Sequence, residues 1–231
     1  MSCAESAAVP ATAPLQIAAF GEAALTIEAP GEIGLPVQQR IWALAAAAER
    51  WDGVLEVGLG MANLLVIFDP DRREPVELSN ALQTSWRSLA PLVIEGRVWE
   101  FPVIYGGERG RDLATVAAHA GVGLEDAARL HSARDYVIFA PSVTPGFGYL
   151  YGVDPALVLP RKKIPIMLKE PGTISIGGAQ ATIGMTPGPS GWYALGCTTR
   201  FHHPFDPLRD PPLEVAVGDR IRFLVEDVRP C

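Results

Sequence analysis

Residues 141–192 constrain this chain more than any other stretch, because glycine, proline and aromatic residues crowd it too densely for long regular elements. It reads Thr144, Pro145, Gly146, Phe147, Gly148, Tyr149, Leu150, then Gly152 to Pro155, Pro160, Arg161, Gly177 to Gln180, and Pro189, Ser190, Gly191, Trp192. Proline fixes φ and glycine accepts φ > 0, so the segment predicts tight turns that aim a few side chains. Turns held firmly by a scaffold are where binding groups collect.

The chain before this segment has a different texture. Residues 1–14 are small, polar and proline-containing, which predicts a flexible tail. Residues 15–20 and 23–28 read as strands of a hairpin about Gly21. Pro36 opens a helix over 37–50, with Val37, Ile41, Leu44, Ala45 and Ala48 on one face. Strands follow at 54–57 and 63–68, the second apolar enough to be central, then a helix over 75–89 and a strand at 98–104. This order predicts an α+β domain over 15–97, two helices on one face of a mostly antiparallel sheet. Trp42, Trp51 and Trp86 lie on or beside the helices and are assigned to its packing.

Beyond residue 98 the chain predicts two short helices, 113–120 with Asp112 as N-cap and 124–131, and then loses helical periodicity. Short apolar runs at 136–139, 174–176, 192–195, 213–217 and 220–225 alternate with turns, as in a β-barrel or closed sandwich. The domain boundary is placed near 95–101.

Composition removes several function classes. Hydrophobic residues make up 48% and charged ones 19%, which fits a globular protein. A net charge of -7 argues against a general nucleic-acid binder. No run reaches the ~20 apolar residues of a membrane helix, and no leader pattern opens the chain. Cys3, Cys197 and Cys231 do not form a disulfide framework, so a reducing, cytoplasmic setting is expected.

Familiar catalytic motifs are absent. The loop Gly106, Gly107, Glu108, Arg109, Gly110 lacks the Lys and Ser or Thr of a phosphate loop. The histidines 119, 131, 202 and 203 match no zinc spacing, so no metal site is expected. Ser190 sits in a turn and not a nucleophile elbow, and Cys197 reads as an inert core thiol. What remains is a group of aromatic and polar residues, Phe147, Tyr149, Arg161, Gln180 and Trp192. An apolar wall with one or two orienting polar groups is the usual recipe for a small-molecule site, Arg161 forking onto a carboxylate and Gln180 both donating to and accepting from an amide. The alternative is that Phe147 and Trp192 merely close the barrel while Arg161 lies on its surface.

The order and spacing of these residues resemble the B subunits of the prokaryotic 5-oxoprolinases. Tyr105, Gly106, Gly107, Glu108, Gly110, Asp112, Leu113, Leu130, His131 and Tyr136 extend the likeness upstream. That family includes proteins called allophanate hydrolase subunit 1 and the kinase inhibitor KipI, and is similar to part of the C-terminal region of urea carboxylase. The resemblance implies a cyclophilin-like β-barrel over 98–231. It also implies a heteromer with the paralogous C subunit of 5-oxoprolinase, and with the A subunit, that uses ATP and Mg2+ to open 5-oxoproline to glutamate. On that reading Phe147, Tyr149, Arg161, Gln180 and Trp192 bind substrate, and His131 and Glu108 assist proton transfer. The alternatives are a KipI-like inhibitor of a sensor histidine kinase and a non-catalytic scaffold component. Ile166, Glu170, Gly184 and Cys197 depart from the family pattern, Ile166 and Cys197 replacing arginines. The substrate therefore stays open between 5-oxoproline and a related lactam or amide.

Overall fold

The structure, a computed structural model, describes residues 13–168 and 170–230. Nearly all of the expected tail, together with Cys3 and Cys231, lies outside the described residues. The chain divides into one compact unit running to Ile94 and another beginning at Glu95.

The first unit is a four-stranded antiparallel sheet of order β1-β2-β4-β3, with β1 at Gln16–Ala19, β2 at Ala24–Glu28, β3 at Val54–Leu59 and β4 at Asn63–Phe68. Helices α1 (Leu35–Ala48) and α2 (Pro75–Ser88) pack on it, each with proline in its first turn, where no N–H is needed. Alternation along β4 sends Leu64, Val66 and Phe68 toward Ile41, Leu44, Leu78, Leu82 and Trp86 of the helices. The apolar run at 63–68 is an inner strand, as its composition predicts. Trp42 and Trp86 are buried, while Trp51 packs at the edge of this core.

In the second unit seven strands close into a barrel of order β10-β7-β6-β13-β5-β12-β9. They are β5 (Val98–Gly106), β6 (Tyr136–Ala140), β7 (Tyr149–Tyr151), β9 (Thr173–Gly177), β10 (Gln180–Ile183), β12 (Tyr193–Thr198) and β13 (Arg220–Arg229). This is the cyclophilin-like barrel. All neighbours pair antiparallel except β13, which runs parallel to β5 from Arg220 beside Val98 to Arg229 beside Gly106. Helices α3 (Leu113–Ala120) and α4 (Leu124–Ser132) bury Leu113, Val116, Ala117, Ala127 and Ala128 in the same core as the barrel. Two three-residue strands, β8 (Ile166–Leu168) and β11 (Gly188–Ser190), form a separate ribbon.

Two expectations change. Residues 213–217 form no strand: after Pro211 and Pro212, which lack N–H donors, Leu213 makes only an isolated bridge to Phe205. Asp112 does precede α3, but its carboxylate makes no cap hydrogen bond and is used elsewhere. Within 141–192 the turns expected from glycine and proline are interleaved with strands of three to five residues, too short to show a period.

Candidate functional site

The turn after β6 decides which way two aromatic side chains face. Gly148 has φ +72 and passes so close to β6 that a Cβ would lie 2.5 Å from the Ala140 carbonyl oxygen, a place only glycine fits. The residues on either side point in opposite directions. Phe147 is fully buried in the barrel core, edge-on to Phe101 with ring centroids 4.9 Å apart. Tyr149 is half-buried on the face opposite Leu150, whose side chain fills the core.

That outer face continues across β10 and β9. Ile174, Ile176, Ala181 and Ile183 point inward, which leaves Gly177 and Gln180, paired across the two strands, on the outside. The indole of Trp192 lies directly on Gly177, where a Cβ would meet ring carbons at 2.8 Å. The exposed Arg161 guanidinium stands over the same indole, 5.1 Å from its centroid, and donates to Gln180 Oε1 at 3.3 Å. The Tyr149 ring completes the group 6.1 Å from Trp192, tilted by 34°. Stacking and one shared hydrogen bond thus bring together four of the five residues expected to bind a ligand: Tyr149, Arg161, Gln180 and Trp192. The guanidinium keeps most of its five N–H donors free.

Beside this group lies a pair that sequence reasoning misses. Lys162 Nζ is 2.6 Å from Asp112 Oδ2, with only 14% and 13% of the two side chains exposed. The same Oδ2 accepts the Ala194 N–H at 2.8 Å, and Nζ sits over the Tyr193 ring at 5.1 Å. A lysine among prolines and an aspartate before a helix are individually unremarkable. Their separation of 50 residues leaves no local signal.

Three expected site residues lie elsewhere. Phe147 is a core residue, as described, so it cannot touch a ligand on the outer face. His131 is completely buried on the inner side of α4, its Nδ1 2.8 Å from the Tyr105 hydroxyl and its ring between Tyr136 and Phe223. Desolvation pushes its pKa down to about 3, which keeps the imidazole neutral, and its burial in the core separates it from the outer-face group. Glu108 is exposed and lines a shallow cleft of about 110 Å³ with Arg109, Arg111, Leu168, Glu170 and Thr173, none of which belongs to the Arg161 group. Cys197 is buried, and desolvation pushes its thiol up to about 11, as suits a core residue. Among the described residues no three His, Cys, Asp or Glu side chains converge as metal ligands.

Residues 15–215 match the family described as carboxyltransferase domain, subdomain C and D. The B subunit of a 5-oxoprolinase from Escherichia coli O157:H7 is 36% identical over 212 residues, covering 92% of this chain and 96% of that one. The chain belongs to the family of 5-oxoprolinase B subunits. A solved structure of TTHA0988 matches this family member with 32% identity and a TM-score of 0.70, over 90% of this chain but 40% of that one. The urea carboxylase of Kluyveromyces lactis matches with a TM-score of 0.75 over 93% of this chain and 22% of its own, and at 17% identity it speaks to the fold alone. In both structures the fold of this family is one part of a longer chain. No described helix is long and apolar enough to cross a membrane.

Proposed function

We propose that this chain is the B subunit of a heteromeric, ATP-dependent cytoplasmic amidohydrolase that opens 5-oxoproline, or a lactam or amide of similar shape, giving glutamate in the first case. The observation that carries the reading is the outer-face group of Arg161, Gln180, Trp192 and Tyr149, in a chain 36% identical to a protein named as the B subunit of 5-oxoprolinase. The free guanidinium N–H groups take the substrate carboxylate bidentately. Gln180, whose carbonyl oxygen is already occupied by Arg161, offers its NH2 to the lactam oxygen. The two aromatic rings flank the apolar edge of the five-membered ring.

The loop 106–110 does not fit a phosphate group. Gly106 and Gly110 look like a phosphate loop only in composition, because their missing side chains serve close packing: a Cβ on Gly106 would lie 2.0 Å from the Arg229 carbonyl oxygen and one on Gly110 2.4 Å from that of Leu195. On this reading ATP and its Mg2+ are used by the complex as a whole, which this chain forms with a paralogue like the 5-oxoprolinase C subunit and with the A subunit. That relatives of about the same length are named as B subunits supports a need for further subunits.

The test is reconstitution. The chain is purified with its A-type and C-type partners, and phosphate and glutamate release are followed with and without 5-oxoproline. Substrate-dependent release that requires this chain is the expected result. A complete set with no ATP turnover on 5-oxoproline or any small lactam or amide would overturn the reading.

A further inference from the structure

The geometry points to Lys162 and Asp112 as positioning residues that hold Arg161 and Trp192 in register, an inference that rests on the outer-face group being the substrate site. Trp192 is bracketed on both sides. Before it, the Lys162 N–H donates to the Gly191 carbonyl oxygen at 2.8 Å. After it, the Lys162 ammonium sits over the ring of Tyr193. One residue further on, Ala194 donates its N–H to Asp112 Oδ2 and accepts the Asp112 N–H at 3.0 Å. A single lysine–aspartate pair thus ties residues 191–194 to Arg161 through the adjacent peptide bond, and ties both to the start of α3.

The tie matters because the Arg161 side chain has only weak contacts of its own. Arg161 is exposed, its bond to Gln180 is a long 3.3 Å, and an exposed cation–π contact contributes only about 0.5–1 kcal/mol. On the other side, residues 163–165 are exposed, Ile164 by 80%, and the ribbon of β8 and β11 reaches Trp192 through one bond, from the Trp192 N–H to the Ser190 hydroxyl at 3.1 Å. The pair is shielded enough for its charges to feel each other strongly, and removing one partner leaves the other uncompensated. With Lys162 neutralised, the main-chain bond from Lys162 to Gly191 remains but the tie to Asp112 and the contact with the Tyr193 ring are lost, so the guanidinium–indole spacing of 5.1 Å is held less firmly.

The test uses Lys162→Met, which keeps the apolar stem, Lys162→Arg, which keeps the charge, and Asp112→Asn. Two readouts are taken. In the reconstituted complex, KM for 5-oxoproline rises about ten-fold or more in Lys162→Met and Asp112→Asn while kcat stays within about two-fold, and Lys162→Arg recovers most of the loss. In the full chain alone, labelled with 5-fluorotryptophan and assigned with Trp192→Phe, the Trp192 fluorine signal shifts or broadens in Lys162→Met. The signals of the other four tryptophans report that the fold is intact. An unmoved Trp192 signal in a folded Lys162→Met chain overturns the inference whatever the complex does. Loss of kcat and KM alike, with all five signals disturbed, makes the pair a general fold element and overturns it too. A wild-type complex without activity defeats the proposed function and leaves the fluorine measurement to decide the positioning role.

Discussion

Arg222 on β13 forks onto Asp135, just before β6, with Nε 2.7 Å from Oδ1 and the far nitrogen 2.9 Å from Oδ2. The two strands share only the pairs Arg220–Val137 and Ile221–Tyr136, so this bidentate contact reinforces a short seam in the barrel wall. The Arg222 hydrogen bonds hold the Asp135 carboxyl below its ordinary value of 3.8. A depressed carboxylate contributes stability that is fully present above its unfolded pKa and is lost as pH falls through the folded one. Asp135→Asn is expected to lower the urea midpoint at pH 7 and to lower it less at pH 3, below the ordinary carboxyl value. Equal losses at both pH values would show that the fork's charge contributes nothing.

His131 gives a second, separable pH signature. Its folded pKa of about 3 lies below the ordinary 6.5, so between those values the unfolded chain binds more protons and stability rises with pH. Acidification from pH 6.5 toward 4 therefore destabilises the wild-type barrel. The double substitution His131→Phe with Tyr105→Phe removes the imidazole and the hydroxyl that faces it together, leaving no orphaned donor. Its denaturation midpoint should be nearly flat over that window. In a folded double variant, activity at pH 7 should survive within about three-fold, whereas a proton-transfer role demands a loss of about 100-fold or more.

Arg161 is exposed and bears on recognition and not on folding. Arg161→Ala should raise KM about ten-fold or more and leave the melting temperature within about 1 °C, since surface substitutions seldom exceed about 0.5 kcal/mol. Arg161→Lys should rescue little, because an ammonium neither forks onto a carboxylate nor stacks flat on the Trp192 indole. Full activity in either variant would remove Arg161 from the site.

Gly177 offers a way to move Trp192 without altering it. A methyl group there would meet ring carbons at 2.8 and 2.9 Å, so Gly177→Ala pushes the indole outward. Trp192 is only half-buried and can yield, so the expected outcome is a raised KM with a small stability loss. Kinetics and a melting curve on the same preparation check both halves.

Much of the fold is legible in the sequence because it rests on periodicity. The helices α1, α2, α3 and α4 announce themselves through proline or glycine boundaries and one apolar face. The strand at 63–68 is identified as inner by its almost wholly apolar composition. The outer-face group is legible in part: Arg161, Gln180, Trp192 and Tyr149 come together, but Phe147 does not. Strand alternation inverts across Gly148, and a sequence shows that two aromatic residues flank a glycine without showing which one faces in. His131 misleads for a related reason. A histidine at a helix end is ambiguous until the depth of the facing strand is known, and here Tyr136 and Phe223 enclose it. The Asp112–Lys162 pair is invisible because it joins residues from a helix start and a proline-rich turn that only barrel closure brings together.

The parallel pairing of β13 with β5 has a consequence for synthesis on the ribosome. The opening strand of the barrel unit waits for its neighbour until residues 220–229 have left the exit tunnel, with residues 107–219 made in between. Until then β5 and β6 each lack their β13 partner and present bare edges to other nascent chains. Slowing translation across the codons for residues 107–219 should prolong that exposure, and a chaperone that shields strand edges would act on this protein in that interval.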